Sequence, residues 1–212
     1  MSCCQCQGIE SMFDSKSAEK SLKSYKKNGP SKTTRLLVDA ISKQGITDNE
    51  LLDIGGGIGA IHLELFKTGI KQATVVEASK ASALVSEQEA IQRGYGERVK
   101  YQGGDFTVIS DKISESDIVT LDRVICCYDN MQDLVRLSAS KARKLYGVVY
   151  PRDSWWVKAI VPIMNLSSKL KGSLFRVFVH PVTEVDAIIK DVGLAPIFHK
   201  TSLFWQVVIY SK

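Results

Sequence analysis

The chain has 212 residues, of which 44% are hydrophobic and 24% are charged, and its formal net charge is +5. This length and composition allow one substantial buried core, so we expect a single domain. No apolar run approaches the roughly 20 residues that a membrane-spanning helix needs, and residues 1–10 lack the basic and apolar regions of an export signal. These absences predict a cytoplasmic protein, and the mild positive charge permits an anionic partner without requiring one.

The five cysteines fall into two clusters, Cys3, Cys4 and Cys6 in one and Cys126 and Cys127 in the other. An odd count with adjacent members is more typical of a reducing compartment than of a disulfide framework. The first three are too closely spaced to enclose a zinc ion. They could form a thiolate site for a soft metal only if the N-terminal segment folds over a cleft that holds the second cluster. Reduced thiols without a ligand are the favoured interpretation, and no metal is predicted.

Residues 1–15 are small and polar without a sustained period, which predicts a tail or cover segment ahead of a domain spanning 16–212. The next segment has lysines at helical spacing, and the sequence NGP at 28–30 ends this helix. The lysines stand at positions 16, 20, 23, 26 and 27. They indicate a solvated helix face, with a rim that attracts anions as the alternative. Ser31 is a candidate N-cap for a second helix over 32–44.

From residue 49 onward, short apolar runs alternate with helical patterns. The runs are ELLDI, ATVVEA, RVKYQ, DIVTLDRVI and LYGVVY, and the helical patterns cover 59–68, 80–93, 131–142 and 182–192. This alternation predicts a parallel sheet with helices on both faces. The last two runs, APIFHKTSL and FWQVVIYS, are joined by almost nothing, which only an antiparallel hairpin allows. We therefore expect an α/β, Rossmann-like fold with a mostly parallel seven-stranded sheet that finishes in an antiparallel hairpin.

A glycine-rich turn, GGGIGA, follows the first predicted strand directly. Read as G-x-G-x-x-A, it fits a dinucleotide-binding fingerprint, with Glu77 about 20 residues further on to hold ribose hydroxyls. Read as D-x-G-x-G-x-G, it comprises Asp53, Gly55, Gly57 and Gly59. Either pattern needs glycine because the backbone must approach a ligand without a Cβ in the way, and because some positions need a positive φ.

The second pattern resembles the glycine motif of the class I S-adenosylmethionine (SAM) methyltransferases, and the acidic residues agree with it. Glu77 ends the second strand, where its carboxylate can accept hydrogen bonds from both ribose hydroxyls. Asp105, with Phe106 beside it, follows the third strand, where this family places an acid or amide near the adenine amino group. The resemblance covers roughly residues 31–212 and implies a class I methyltransferase fold that binds SAM. Asp122, at the end of the fourth strand, is assigned to the same cofactor site.

Within that superfamily, the sequence most resembles the magnesium-protoporphyrin O-methyltransferases and the small methyltransferases grouped with them. The basis is RVFVHPVTEVDAIIKDVGL at 176–194, which is similar to that family's R-x-Y-L-H followed by a helix ending in glycine. In ICCY, Cys127 and Tyr128 stand where that family has a His-Tyr pair. The N-terminal helices and PRDSWW do not match, so the resemblance implies methyl transfer to a small molecule without specifying porphyrin.

Three side chains are candidates for catalysis at the methyl acceptor. Cys127 and Tyr128 follow the fourth strand, where open α/β sheets bind ligands. His180 is the preferred base or acceptor-orienting residue, and a structural histidine held by a backbone carbonyl is the alternative. We expect the acceptor to lie between these residues, Tyr25 and a lid within the insertion 152–175.

The insertion contains many large apolar side chains flanked by basic residues. It could pack over the sheet, cover a hydrophobic or planar acceptor as a lid, or make shallow contact with a membrane surface. Pro162 predicts that the helix of this segment is kinked or divided.

These observations predict a SAM-dependent methyltransferase that acts on a small molecule, with a hydroxyl or carboxyl oxygen as the preferred acceptor. A base is needed only where the acceptor is poorly ionised, as an alcohol is. Methylation of a thiol or sulfide is the enzymatic alternative, and a SAM-binding or metal-sensing protein is the alternative without catalysis. Nucleic acid is not expected, because the basic residues do not alternate with aromatic ones and no base-holding motif follows the fourth strand.

Overall fold

The computed structural model describes residues 4–170 and 172–212, with side chains from residue 8 onward in those ranges. Cys3 and the side chains of Cys4 and Cys6 lie outside the described residues. The helices are α1 Cys4–Met12, α2 Ser15–Asn28, α3 Lys32–Ser42, α4 Ala60–Phe66, α5 Lys80–Gln92, α6 Phe106–Ile109, α7 Met131–Ser140, α8 Trp155–Leu170 and α9 Val182–Asp191. The strands are β1 Glu50–Ile54, β2 Gln72–Glu77, β3 Val99–Gly103, β4 Ser116–Asp122, β5 Ala142–Pro151, β6 Ala195–Thr201 and β7 Trp205–Ser211.

The seven strands form one sheet in the order β3-β2-β1-β4-β5-β7-β6. The first five strands pair in parallel, whereas β7 runs antiparallel to both β5 and β6. This arrangement confirms the predicted parallel sheet and its terminal hairpin. Because β1 and β4 are neighbours and their connections leave to opposite sides, their carboxyl ends frame the crevice where such sheets bind ligands.

Helices cover both faces of the sheet, and β5 shows why. Tyr146, Val148 and Tyr150 contribute to the core under α6, α7 and α9, whereas Leu145 and Val149 contribute to the core under α3 and α4. Successive side chains of a strand point to opposite faces, so a strand that is apolar throughout must be covered on both. The continuous apolar run LYGVVY therefore specifies a central strand.

The helix starts follow the local sequence. Asp14 accepts a hydrogen bond from the Ser17 N–H at the start of α2, and Ser31 caps α3 through the Thr34 N–H, as the sequence predicted for Ser31. Gly29 takes a φ of 74° immediately after α2, which favours glycine and ends the helix.

Two segments have features that the sequence pattern did not predict. The segment predicted as a tail or cover contains α1, and Ile9 of this helix is buried. Helix α8 continues through Pro162 without being divided there. Pro162 lies on the exposed side of the helix, where water can bind the carbonyl that loses its N–H partner. Among the described helices, none has both the length and the apolar character needed to cross a membrane.

Helix α3 lies unusually close to the sheet at Gly147 in β5. A Cβ at this position would come within 2.9 Å of Leu37 Cδ1 and 3.1 Å of Ile41 Cδ1, and both of these side chains are fully buried. The missing side chain therefore sets the distance between helix and strand.

We expect Gly147→Ala to lower the free energy of unfolding by about 1–3 kcal/mol, because the added methyl group must displace a packed helix. Gly103→Ala is the matched control, since a Cβ there meets nothing within 4 Å, and its effect should stay within about 0.5 kcal/mol. Urea denaturation of the two variants measures the difference. Equal losses would contradict the packing argument.

Candidate active site

A cavity of about 660 Å³ opens at the carboxyl ends of the parallel strands. Its floor is the glycine-rich turn after β1 and the end of β2, and its walls come from the loop after β4 and from α2. Ile9, Met164, Phe175 and Trp205 contribute apolar surface. This is the position at which open α/β sheets bind ligands.

The glycines of the turn serve different purposes. Gly55 and Gly57 have φ values of 66° and 55°, in the left-handed region that favours glycine. A Cβ on Gly55 would overlap the side chain of Val124, so this glycine permits close packing. A Cβ on Gly57 would meet nothing nearer than the Gly55 carbonyl oxygen at 4.0 Å. Gly57 therefore presents bare backbone to open space in the cavity. Gly59 begins α4, where a Cβ would come within 2.8 Å of the His62 ring.

Glu77 lies at the end of β2 and is almost fully buried. Its Oε2 accepts a hydrogen bond of 2.8 Å from the Gly57 N–H, and its Oε1 accepts one of 2.7 Å from the Ser79 N–H. Burial raises the pKa of this carboxyl, and the two backbone donors act in the opposite direction. Since each carboxylate oxygen has more than one acceptor position, Glu77 retains capacity to accept from ligand hydroxyls.

Asp53 supports the turn from below. Its Oδ1 accepts a 2.8 Å hydrogen bond from the Thr120 hydroxyl, and its Oδ2 lies 3.4 Å from His62 Nδ1. Asp53, Thr120 and His62 are all buried. Asp53 thus fixes the start of the turn, and it also borders the cavity.

Asp105 and Phe106 follow β3. Asp105 caps α6 by accepting from the N–H and the hydroxyl of Thr107, and it also accepts a 2.8 Å hydrogen bond from the Tyr128 hydroxyl. Phe106 is buried and borders the cavity, as does Tyr128. Asp105 is not among the residues that line the cavity, so its predicted role near an adenine amino group stays a prediction.

Asp122 at the end of β4 faces two partners that the sequence analysis did not assign. The Thr34 hydroxyl donates to Asp122 Oδ2 over 2.5 Å, and the Arg123 guanidinium donates to both carboxylate oxygens over 3.0 and 3.2 Å. Arg123 has a φ of 64°, a strained conformation for an arginine. Little in the sequence indicates the contact between Thr34 and Asp122. Thr34 is one of several hydroxyl residues around the Ser31 cap, and only the folded structure brings it to Asp122.

The loop after β4 brings two thiols to the cavity wall. The sulfur atoms of Cys126 and Cys127 lie 3.4 and 3.6 Å from the Arg123 carbonyl oxygen, and both side chains are buried and free of disulfide bonds. A hydrogen bond with Cys127 and burial together raise the pKa of the Cys126 thiol well above its ordinary value. At neutral pH, Cys126 is therefore a thiol rather than a thiolate.

His180 lies behind this loop. Its Nε2 donates a 2.8 Å hydrogen bond to the Tyr128 carbonyl, and its ring stacks on Phe178. The Phe178 N–H in turn donates to the Cys126 carbonyl. His180 is not among the cavity-lining residues. In this arrangement it fastens the segment 175–180 to the loop 125–128, and its predicted role as a base stays a prediction.

Two segments cover the cavity. Helix α1 contacts the backbone of the segment after α8 so closely that a Cβ on Gly8 would lie 2.8 Å from the Phe175 nitrogen. Ile9 packs in one buried cluster with Phe175 and the two cysteines of the loop. The rings of Phe13 and Phe175 meet edge to face, with their centroids 5.9 Å apart. Asn165 of α8 holds the same segment by two hydrogen bonds with the Val177 backbone, of 2.7 and 2.9 Å.

Tyr25, expected near the acceptor, borders the cavity, but its hydroxyl donates to Glu64. Burial and the neighbouring Glu64 raise the pKa of this hydroxyl. The cavity thus brings together most of the predicted residues. Those that line it are Asp53, Gly55, Gly57, Glu77, Phe106, Asp122, Cys127 and Tyr128. Gly59, Asp105 and His180 lie just behind its wall.

The strand order, the antiparallel last strand and the crevice above the first strands define the Rossmann-like class I methyltransferase fold. Solved structures agree. The magnesium protoporphyrin IX methyltransferase (ChlM) from Synechocystis PCC 6803 with bound SAM superposes with a TM-score of 0.71 at 14% identity, covering 98% of this chain and 97% of that one. An O-methyltransferase family protein from Burkholderia thailandensis has a TM-score of 0.70 at 13% identity, covering 96% of this chain and 62% of that one.

The fold also occurs in a protein described by another activity. The [4+2]-cyclase SpnF has a TM-score of 0.64 at 11% identity, covering 84% of this chain and 80% of that chain. No family model matches the sequence, and no curated protein matches it. The likeness to solved structures therefore establishes the fold, and the function must be argued from the cavity.

The environment of His180 leads to a pH prediction. Burial lowers the pKa of His180 below the ordinary value of 6.5, although the Tyr128 and Ile125 carbonyls favour the protonated ring. The unfolded chain then binds more protons in the window just below 6.5. Stability is therefore complete above that value and declines as the pH falls through it.

We expect His180→Asn to remove this part of the acid sensitivity, because asparagine does not titrate in this range. Urea midpoints between about pH 8 and about pH 5 measure the difference from the wild type. His199→Asn, at an exposed position of β6, is the control for loss of a histidine in general. Coincident profiles for the wild type and His180→Asn would contradict the assignment.

Proposed function

We propose that this chain is a SAM-dependent methyltransferase that methylates an oxygen atom of a small, hydrophobic or planar acceptor. The observation that carries the proposal is the contact between Gly57 and Glu77 at the floor of the cavity. There, the backbone of Gly57 faces open space, and its N–H donates a hydrogen bond to the buried carboxylate of Glu77. This combination suits a ligand that lies against the turn and donates hydroxyl groups to the acid.

The described residues fit SAM in three respects. Gly55 and Gly57 would receive its amino acid portion, Glu77 would accept from its ribose hydroxyls, and Phe106 would provide apolar surface to its base. Asp122, with Thr34 and Arg123 around it, adds polar groups on the opposite side. When bound, SAM supplies a methyl group activated by attachment to a sulfonium. The dinucleotide reading of the same turn is less well supported, because the terminal hairpin is typical of methyltransferases and not of dehydrogenases.

The chain's own contribution is to hold the acceptor in line and to exclude water. Methyl transfer is a displacement, so alignment and desolvation supply much of the rate. Ile9 and Phe175 provide apolar surface over the cavity, and the Asn165 hydrogen bonds fix the segment that carries Phe175. We infer that α1 belongs to the catalytic unit as a cover, together with the predicted domain 16–212 and its insertion.

The ionisable groups favour an acceptor that is already acidic. None of the described cavity-lining residues is a histidine or a lysine. The Cys126 thiol has a raised pKa, and the Tyr25 hydroxyl is bonded to Glu64. A poorly ionised alcohol would lack a base here, whereas a carboxylate or an acidic phenol needs none. Arg123 borders the cavity but is ion-paired with Asp122, so the preference rests on the missing base. We therefore favour a carboxyl acceptor.

Methylation of a small thiol or sulfide is the second candidate. The sulfur atoms of Cys126 and Cys127 at the cavity wall form polarisable surroundings for a sulfur acceptor. The Cys126 thiol, which is not in a disulfide bond, also supports our proposal that the protein acts in a reducing compartment such as the cytoplasm. The apolar cover over the cavity favours a small molecule over nucleic acid.

The cofactor proposal predicts specific losses of SAM affinity. Glu77→Gln should weaken binding by about tenfold or more, because hydrogen bonds to charged groups contribute about 1.5–3 kcal/mol. Gly57→Val should weaken it further, since the side chain would occupy the space that the ligand needs. Calorimetric titration measures both. Glu97→Gln, at an exposed acidic position, should bind as the wild type does. No binding to the wild type, or equal binding to all variants, would refute SAM as the cofactor.

The acceptor proposal predicts where a methyl label goes. Reduced protein is incubated with methyl-labelled SAM and a panel of carboxylates, phenols, porphyrins, small thiols and sulfide. We expect label in a carboxylate, released by mild alkali as methanol. His180→Ala should then keep its rate within about tenfold, because a carboxylate needs no base. Label in thiols would establish the sulfur alternative. Loss of most of the rate in His180→Ala, together with loss of the acidic limb of the pH–rate profile, would restore the histidine as the base.

A further inference from the structure

Helix α8 turns a broad apolar face away from the protein. Its buried side chains are Val157 and Val161, on one side of the helix. The other side carries Trp155, Ile163, Leu166 and Leu170, which are 81%, 68%, 58% and 82% exposed. At 3.6 residues per turn, these four side chains fall within a sector of about 80°. The inner face is therefore buried, the packing of this segment over the sheet stays a prediction, and the outer face is an unpartnered apolar surface.

The charges around this face have one sign. Lys158 and Lys169 lie on the same flank of the apolar sector, about three turns apart, and both are exposed. Lys158 has one acidic neighbour, Asp153, at 3.8 Å. From 154 to 183 the sequence contains no aspartate or glutamate. A surface that complements this face must therefore be apolar in its middle and negatively charged at its edge.

A second basic surface borders the same cavity. Helix α2 turns Ser17, Ser21 and Ser24 toward the cavity. Its exposed lysines at 16, 20, 23 and 27 fall within a sector of about 60° beside that cavity-facing side. An anion-attracting rim is the alternative to a solvated face for these lysines. Their position beside the cavity, which α8 also borders through Met164, favours that alternative.

We propose that α8 docks on an anionic lipid surface. Its exposed tryptophan and aliphatic side chains enter the boundary between head groups and acyl chains, while Lys158 and Lys169 contact anionic head groups. Helices with an apolar face, flanking lysines and tryptophan bind membranes in this way without crossing them. A second copy of the chain fits less well, because the same faces would bring like charges together with no acid from 154–183 to balance them.

Docking through α8 also has a consequence for the cavity. Asn165 of the same helix holds the covering segment at Val177, so the lipid-facing helix and the cover are directly bonded. A hydrophobic acceptor dissolved in the membrane would then reach the cavity without crossing water. This last step rests on the proposed function, whereas lipid binding itself does not.

Sedimentation of the full chain with lipid vesicles tests the proposal. We expect binding to phosphatidylcholine vesicles that contain about one third phosphatidylglycerol, little binding to phosphatidylcholine alone, and weakening by salt. Tryptophan emission should shift to shorter wavelength on binding and lose most of that shift in Trp155→Ser. The triple variant Trp155→Ser, Ile163→Ser, Leu166→Ser should bind about tenfold more weakly or worse. Lys158→Gln and Lys169→Gln should each weaken binding about fivefold.

Matched controls change similar side chains elsewhere. Leu84→Ser with Ile91→Ser removes two exposed apolar side chains of α5, and Lys100→Gln removes an exposed lysine of β3. These variants should bind vesicles as the wild type does. No binding by the wild type, equal binding to neutral vesicles, or equal binding by α8 and control variants would overturn the proposal. Dimerisation abolished by the triple variant, without vesicle binding, would make a second copy the occupant. SAM is absent throughout, so the outcome is independent of the methyltransferase proposal.

Discussion

The rest of the site depends on the carboxylate of Glu77 and the two backbone N–H groups that hold it. The bonds from Gly57 and Ser79 connect the turn after β1 to the beginning of α5, and they partly offset the cost of burying a negative charge. The start of α5 adds a favourable dipole, since Ser79 caps this helix. A buried acid held by bonds of this kind fixes the glycine turn in one conformation. The cavity floor is thus formed before any ligand binds, which lowers the entropic cost of binding.

The walls of the cavity are held differently from its floor. Strand ends and short turns fix the floor, whereas the cover consists of two segments that are distant in the sequence and meet over the loop 125–128. Phe178 and His180 attach one of them to this loop by hydrogen bonds, and Ile9 attaches the other by apolar contact. A cavity with its floor on the sheet and its cover on separate segments lets the cover vary in sequence while the fold stays the same.

The fold was predictable because each level of the sequence pattern agrees with the others. Three kinds of signal specify the same topology. They are the apolar runs, the helix ends at Ser31 and at the glycine after α2, and the very short connection between the last two strands. The residues of the cavity floor were predictable for a similar reason, since strand ends converge at one edge of a parallel sheet. The cover of the cavity was not. Phe175 and Ile9 carry no local signal, and whether His180 faces the cavity or a carbonyl depends on the path of a segment without regular structure.

The pair of hydrogen bonds between Asn165 and the Val177 backbone has a kinetic meaning as well as a structural one. It connects α8, whose outer surface is apolar, directly to the segment that covers the cavity. With the outer surface resting on lipid, the acceptor concentration that matters becomes a mole fraction within a two-dimensional phase. Diluting the acceptor with inert lipid would then slow turnover even when its total amount in the sample is unchanged.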